Sequence, residues 1–219
     1  MEKSLNRISE NNRKGLYPFA LAVMLVFFFG SMAVCGIVGI EDMDSAGLFG
    51  FGYNAIAMLL ALVLFVCCIL DGMQKDSDRG TFLLLLFFDL IAMALDSFSY
   101  CIKGIPALRD VQIVSQAIVF CLDYVLYYQI LKYQTMILGV RNTRAVRIVL
   151  DVFQGISVFL GITAIANIFT PIYFEINAMG EYSEAAYYYV NSSYRLLVPL
   201  AGLCFLVNYH KQIKLPAFS

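Results

Sequence analysis

Apolar and charged positions do not mix evenly along this chain. Six long apolar blocks, at 17–40, 48–71, 81–103, 111–139, 146–169 and 188–209, are separated by short charged or turn-rich segments. A helix rises about 1.5 Å per residue, so blocks of this length cross a hydrocarbon core of about 30 Å. Within lipid only a helix satisfies every backbone hydrogen bond inside one segment. The pattern predicts an all-α fold, a polytopic integral membrane helix bundle of about six transmembrane helices. Residues 1–16 then form an N-terminal segment, 17–209 the bundle and 210–219 a C-terminal segment. The fourth block exceeds what a crossing needs and predicts a tilt, or a projection toward its Tyr133–Val140 end. The first block follows a basic start and is too long for the core of a signal peptide, so it reads as an uncleaved span.

Composition agrees with the block pattern. Only 14% of the residues are charged and 61% are hydrophobic, against about 25% charged in a soluble domain. A net charge of −1 offers no basic surface, which excludes nucleic acid as a partner. The lipid bilayer is the expected partner instead. The basic residues are unevenly placed. Eleven of them lie at the N-terminus, between blocks two and three, between four and five, or after six, whereas only Lys103 and Arg109 lie on the other side. By the positive-inside rule both termini are cytoplasmic and the protein is multi-pass in the cell membrane.

A few ionisable residues interrupt the apolar blocks. FFDLIAMALDSFSY, residues 87–100, carries Asp89 and Asp96. Asp123 lies in block four and Arg195 in block six. Each costs a few kcal/mol in lipid, so each is expected to face the bundle interior and to find a partner. Asp71 and Asp151 sit close enough to the interface to be solvated, and Lys132 can snorkel. Seven residues make nearly two helical turns, which puts Asp89 and Asp96 on one face. Gln112, Gln116, Asp123, Tyr127 and Gln134 form a matching stripe on block four, so the two stripes are expected to face each other. Depth along the helices pairs Asp96 with Arg195 and sets Asp89 level with Asp123. Pro199 blocks the backbone bond to the Arg195 carbonyl and predicts a kink there.

Aromatic residues gather on the outer side at Tyr173, Phe174, Tyr182, Tyr187, Tyr188, Tyr189 and Tyr194. They read as an interfacial belt, or as a cup above Arg195 for an anionic, partly apolar small molecule. The candidate ligand or signalling residues are therefore Asp89, Asp96, Asp123, Arg195, Tyr127, Gln116, Tyr187 and Tyr194. Small residues at Gly30, Gly36, Gly39, Gly155, Ser157 and Gly161 are expected to let helices approach closely. Six cysteines, Cys35, Cys67, Cys68, Cys101, Cys121 and Cys204, form no C-x-x-C pair and read as small packing residues rather than as a disulfide. With His210 as the single histidine, no metal site and no cofactor is indicated. Walker, H-E-x-x-H, G-x-S-x-G, GGDEF and kinase motifs are missing, so no catalytic residue is assigned.

The stretch LFFDLIAMALDSFSY resembles the span with two aspartates seven apart in the multi-pass membrane sensor regions of bacterial GGDEF diguanylate cyclases and related membrane histidine kinases. Met93 stands where that family often carries tryptophan. Residues 166–190, ANIFTPIYFEINAMGEYSEAAYYYV, are similar to the fifth span and outer loop of those regions, with Ser183-Glu184-Ala185 replacing an Arg-Gly segment. The likeness covers roughly 80–215. It implies a membrane-embedded input module of a signal-transduction protein, taking a small-molecule ligand from the outer side. It also implies a cytoplasmic output domain, in cis or in trans, and is compatible with a homodimer. In the family the counterpart of NYHKQIKLPAFS leads on to further spans, so the chain is expected to be the front part of a sensor, as a fragment or a stand-alone remnant. Two other readings stay open: a small transporter or proton-coupled carrier using the intramembrane aspartates, and a structural subunit whose polar stripes only hold helices together.

Overall fold

The computed structural model describes residues 2–38, 45–70 and 77–210, with side chains from 17 onward except at 46 and 77–79. Gly39, Lys75, Lys211, Lys214 and the rest of 211–219 lie outside the described residues. The helices are α1 (Glu2–Val38), α2 (Ser45–Leu70), α3 (Ser77–Cys101), α4 (Arg109–Ile137), α5 (Arg144–Ala166) and α6 (Tyr188–Tyr209). A short 3₁₀ turn (Pro106–Leu108) precedes α4, and two strands, β1 (Phe174–Ile176) and β2 (Tyr182–Glu184), lie between α5 and α6. Among the described residues six helices are long and apolar enough to cross a membrane. The fold is an all-α polytopic membrane bundle. The N-terminal segment is helical from Glu2 and runs without a break into the first span through Pro18.

The chain divides into two compact units, residues 1–102 and 103–219. In the first, α3 packs on both α1 and α2. Its buried positions Leu83, Leu86, Leu90, Ala94, Ser97 and Cys101 recur every three or four residues, the period of one helix face. Met24 of α1 and Met58, Ala61 and Phe65 of α2 close on the apolar part of that face. Lipid tails are as apolar as these side chains, so close packing, rather than escape from water, holds the helices together.

The glycines that permit close approach are not the ones expected. A Cβ on Gly30, Gly36, Gly155 or Gly161 would meet nothing within 4 Å. Gly30, Gly36 and Gly155 are exposed, on faces turned away from their packing neighbours. Gly50 does the close packing in the first unit, where an added Cβ would come 2.7 Å from the Tyr100 ring.

In the second unit α4 packs against α5, α6 and β1. The core gathers Phe120, Tyr124 and Leu131 from α4, Leu160 and Ala164 from α5, and Val198 and Phe205 from α6. Helix α5 ends three residues before the expected boundary, and Asn167 accounts for the change. Its side-chain oxygen accepts the backbone N–H groups of Ile172 (2.8 Å), Tyr173 (2.6 Å) and Phe174 (3.3 Å), while its amide donates to the Phe174 carbonyl (3.0 Å). This side chain turns the chain out of the helix and into β1. Strands β1 and β2 pair antiparallel, with Phe174 opposite Glu184 and Ile176 opposite Tyr182.

Candidate functional site

Arg195 lies eight residues into α6, roughly 10 Å from its start at 1.5 Å per residue. Its guanidinium makes an ion pair with Asp123 of α4. The side chains keep 36% and 20% of their exposure, so the pair is largely desolvated but not sealed. The same guanidinium lies 5.6 Å from the centroid of the Phe120 ring, a cation–π distance. The phenols of Tyr127, Tyr188 and Tyr124 lie within its electrostatic reach. The Arg195 Nε–H is buried without an acceptor among the described residues.

Aromatic rings connect this pair to the hairpin. Tyr173, just ahead of β1, stacks on Phe120 with centroids 5.9 Å apart, and Phe174 lies 5.4 Å from the same ring. Tyr182 of β2 stacks in turn on Phe174 at 5.8 Å. Polar ends tie the cluster to α5: the Tyr173 hydroxyl bonds Thr163, and the Tyr194 hydroxyl bonds Ser157. Tyr124 lies between, edge-on to Tyr194 at 5.5 Å, with its hydroxyl buried. Asn191, one turn above Arg195 on α6, is fully buried, and neither end of its amide has a partner among the described residues. That burial rules out the Asn-Ser-Ser run as an acceptor for a sugar in this fold.

Of the residues singled out from sequence, the second unit brings Asp123, Arg195, Tyr127 and Tyr194 together. Gln116 is half-buried two turns before Asp123 on α4, and Tyr187 is 61% exposed. The expected tyrosine cup therefore separates into two sets. Tyr173 and Tyr194 are core residues around the ion pair, whereas Tyr187 and Tyr189 face outward as belt residues do.

Asp96 and Asp89 belong to the first unit and differ from each other. Asp96 accepts a 2.9 Å hydrogen bond from the Asn54 amide of α2, and the ion-pair partner of Arg195 is Asp123 rather than the expected Asp96. Asp89 is exposed near the middle of α3, with no hydrogen bond or ion pair among the described residues. The reason follows from register. Tyr100 meets Gly50 and Asp96 meets Asn54, so α2 and α3 run antiparallel. Counting on, the α2 residue level with Asp89 is Ala61, which has nothing to donate.

Sequence reasoning passed over Arg109, Asn167 and Tyr173 as individual contributors. Arg109 Nε donates to the Ile176 carbonyl (2.9 Å) and the Asn177 carbonyl (3.2 Å), fixing the start of α4 to the hairpin. Arg109 also borders a pocket of about 120 Å³ that Asn167, Phe174 and Glu175 help to line. An asparagine closing an apolar block four residues before Pro171 was the readable signal for the first turn out of α5.

These observations define an all-α, multi-pass membrane protein with a charge pair set inside its second unit. Compared with family models, with curated proteins and with solved structures, the chain matches none.

Proposed function

We propose that the chain is a membrane-embedded input module of a bacterial signal-transduction protein, of the diguanylate cyclase or histidine kinase kind, working on a catalytic output in cis or in trans. On this reading it lies in the cell membrane with both termini in the cytoplasm and takes a small molecule from the outer side. One observation carries the proposal. The outer hairpin reaches the intramembrane ion pair through a continuous contact, from Tyr182 to Phe174 to Phe120 to the Arg195 guanidinium. A ligand that moves the hairpin thereby changes the packing of the rings around the ion pair that links α4 to α6. Those helices end at the cytoplasmic face, where an output would be coupled. A ligand shifts such an equilibrium only as far as its affinities for the two packings differ, about 5.5 kcal/mol for a complete switch.

The test uses the full chain in nanodiscs, cysteine-free, with spin labels at Arg141 and Asn208. Tyr173→Ala and Arg195→Gln should each shift the distance distribution between the labels. Unchanged distributions in both variants overturn the coupling. A second reading has its own support in Asp89, a mid-span carboxyl without a hydrogen bond or ion pair among the described residues, which could take up and release protons. An input module gives no proton flux in reconstituted vesicles. Flux that disappears in Asp89→Asn replaces it with a proton-coupled carrier.

A further inference from the structure

Three helices of the first unit converge where α1 and α3 end and α2 begins, and two thiols meet there. Cys35, in the last turn of α1, is 1% exposed, and Cys101, the last residue of α3, is 3% exposed. With Phe51 of α2 they form one buried cluster, against which Met32 and Val34 pack. The two thiols are neighbours in that cluster and lie within each other's electrostatic reach. The other cysteines stand apart from this pair. Cys67 and Cys204 are exposed, Cys121 donates to the Gly161 carbonyl at 3.2 Å, and Cys68 belongs to the cluster around Met58 and Phe65.

Burial of two thiols against each other is ordinary packing as long as they remain reduced. Their placement makes more of it. Both stand at helix ends, where a small adjustment brings the sulfurs to bonding distance without unwinding a span, and disulfide geometry tolerates only small errors. Gly36 follows Cys35 with open space at its Cβ, and Gly104, at φ +79°, follows three residues after Cys101. Each cysteine thus has a permissive glycine close by. We propose that Cys35 and Cys101 are a redox-active pair that closes to a disulfide and ties α1 to α3.

The oxidant is a disulfide donor, either an oxidised dithiol oxidoreductase or a small-molecule disulfide. One protein thiolate attacks a donor sulfur and expels the other as a thiolate, leaving a mixed disulfide. The second protein thiol then displaces the remaining donor sulfur. Two S–H bonds are exchanged for one S–S bond in the protein, and two electrons and two protons pass to the donor, which leaves as two thiols. Only the compartment in which this happens rests on the topology proposed above, which puts this end of the unit on the outer, oxidising side.

The experiment uses the full chain with Cys67, Cys68, Cys121 and Cys204 changed to alanine and a protease site inserted within 72–76, purified in detergent. After treatment with oxidised glutathione, the protein is denatured and its free thiols are counted by the mass added by a maleimide polymer. The count should fall from two to none. After cleavage the two fragments should stay joined on a non-reducing gel and separate with reductant. Cys35→Ser and Cys101→Ser each remove the join and serve as folded controls, because serine fills almost the same volume. Two free thiols and separate fragments after oxidation overturn the pair. Closure in the purified protein together with free thiols in aerobically grown cells overturns the outward placement, and leaves the pair standing.

Discussion

Asp123 and Arg195 show what a charge inside a span requires. Two lone ions at this depth would each cost a few kcal/mol, whereas together they compensate one another. The balance is asymmetric. Removing one partner leaves an uncompensated charge and costs about 3–5 kcal/mol, while replacing both by well-packed apolar residues is often neutral. Asp123→Leu and Arg195→Met alone should therefore lower stability in detergent by about that amount, and the double variant should recover most of it. Equal losses in the single and double variants would show that the surrounding rings, not the charges, hold α4 to α6. The candidates were legible in the sequence because charges are rare in apolar blocks, but the pairing was not. Depth pointed to Asp96 as the partner of Arg195 and was wrong: Asp96 accepts from Asn54 of α2, and the guanidinium pairs with Asp123. Asp89 had the same spacing logic as Asp96 and no donor across from it.

At the scale of elements, the six spans were readable to within a few residues, since a 20-residue apolar run has no other structure open to it in lipid, whereas the helical stretch of α1 ahead of residue 17 was not. The hairpin between α5 and α6 left only a Gly-Glu-Tyr turn signal, at 180–182, in the sequence. Its strands are three residues each and too short to show an alternating pattern, and what fixes them is distant in sequence. Arg109 holds β1 from the start of α4, and the Gly180 carbonyl accepts the Gly104 N–H at 2.9 Å. Gly180 itself has φ +79°, and a Cβ there would stand 3.0 Å from the Ile105 nitrogen. An L-residue in that conformation costs about 1–2 kcal/mol before any clash is added. Gly180→Ala should consequently loosen the hairpin from the start of α4 and raise the amide exchange rate of Gly104 by an order of magnitude or more. Unchanged exchange at Gly104 would show that Arg109 alone carries the attachment.

For the whole molecule, the charge distribution makes the strongest remaining claim. Eleven lysines and arginines fall on one side of the six spans and two on the other. Translocation of basic segments is opposed, and the bias in short loops sets orientation. Here every connecting loop is short enough to count. The two basic residues on the sparse side also have structural duties or neighbours that hold them: Arg109 is bonded to the hairpin, and Lys103 has contacts of its own. They are consequently weak evidence against the bias. The orientation expected from this bias turns the hairpin and the aromatic residues Tyr187 and Tyr189 outward. The prediction is that a reporter fused at residue 45, and a thiol introduced at Ala178, both react from outside intact cells, while one at Asn142 reacts only after the membrane is opened. Labelling of Asn142 from outside, with residue 45 protected, would invert the molecule. An inverted molecule would put the hairpin against the cytoplasm, and the path from Tyr182 to Arg195 would then carry a signal from within the cell instead of from its surroundings.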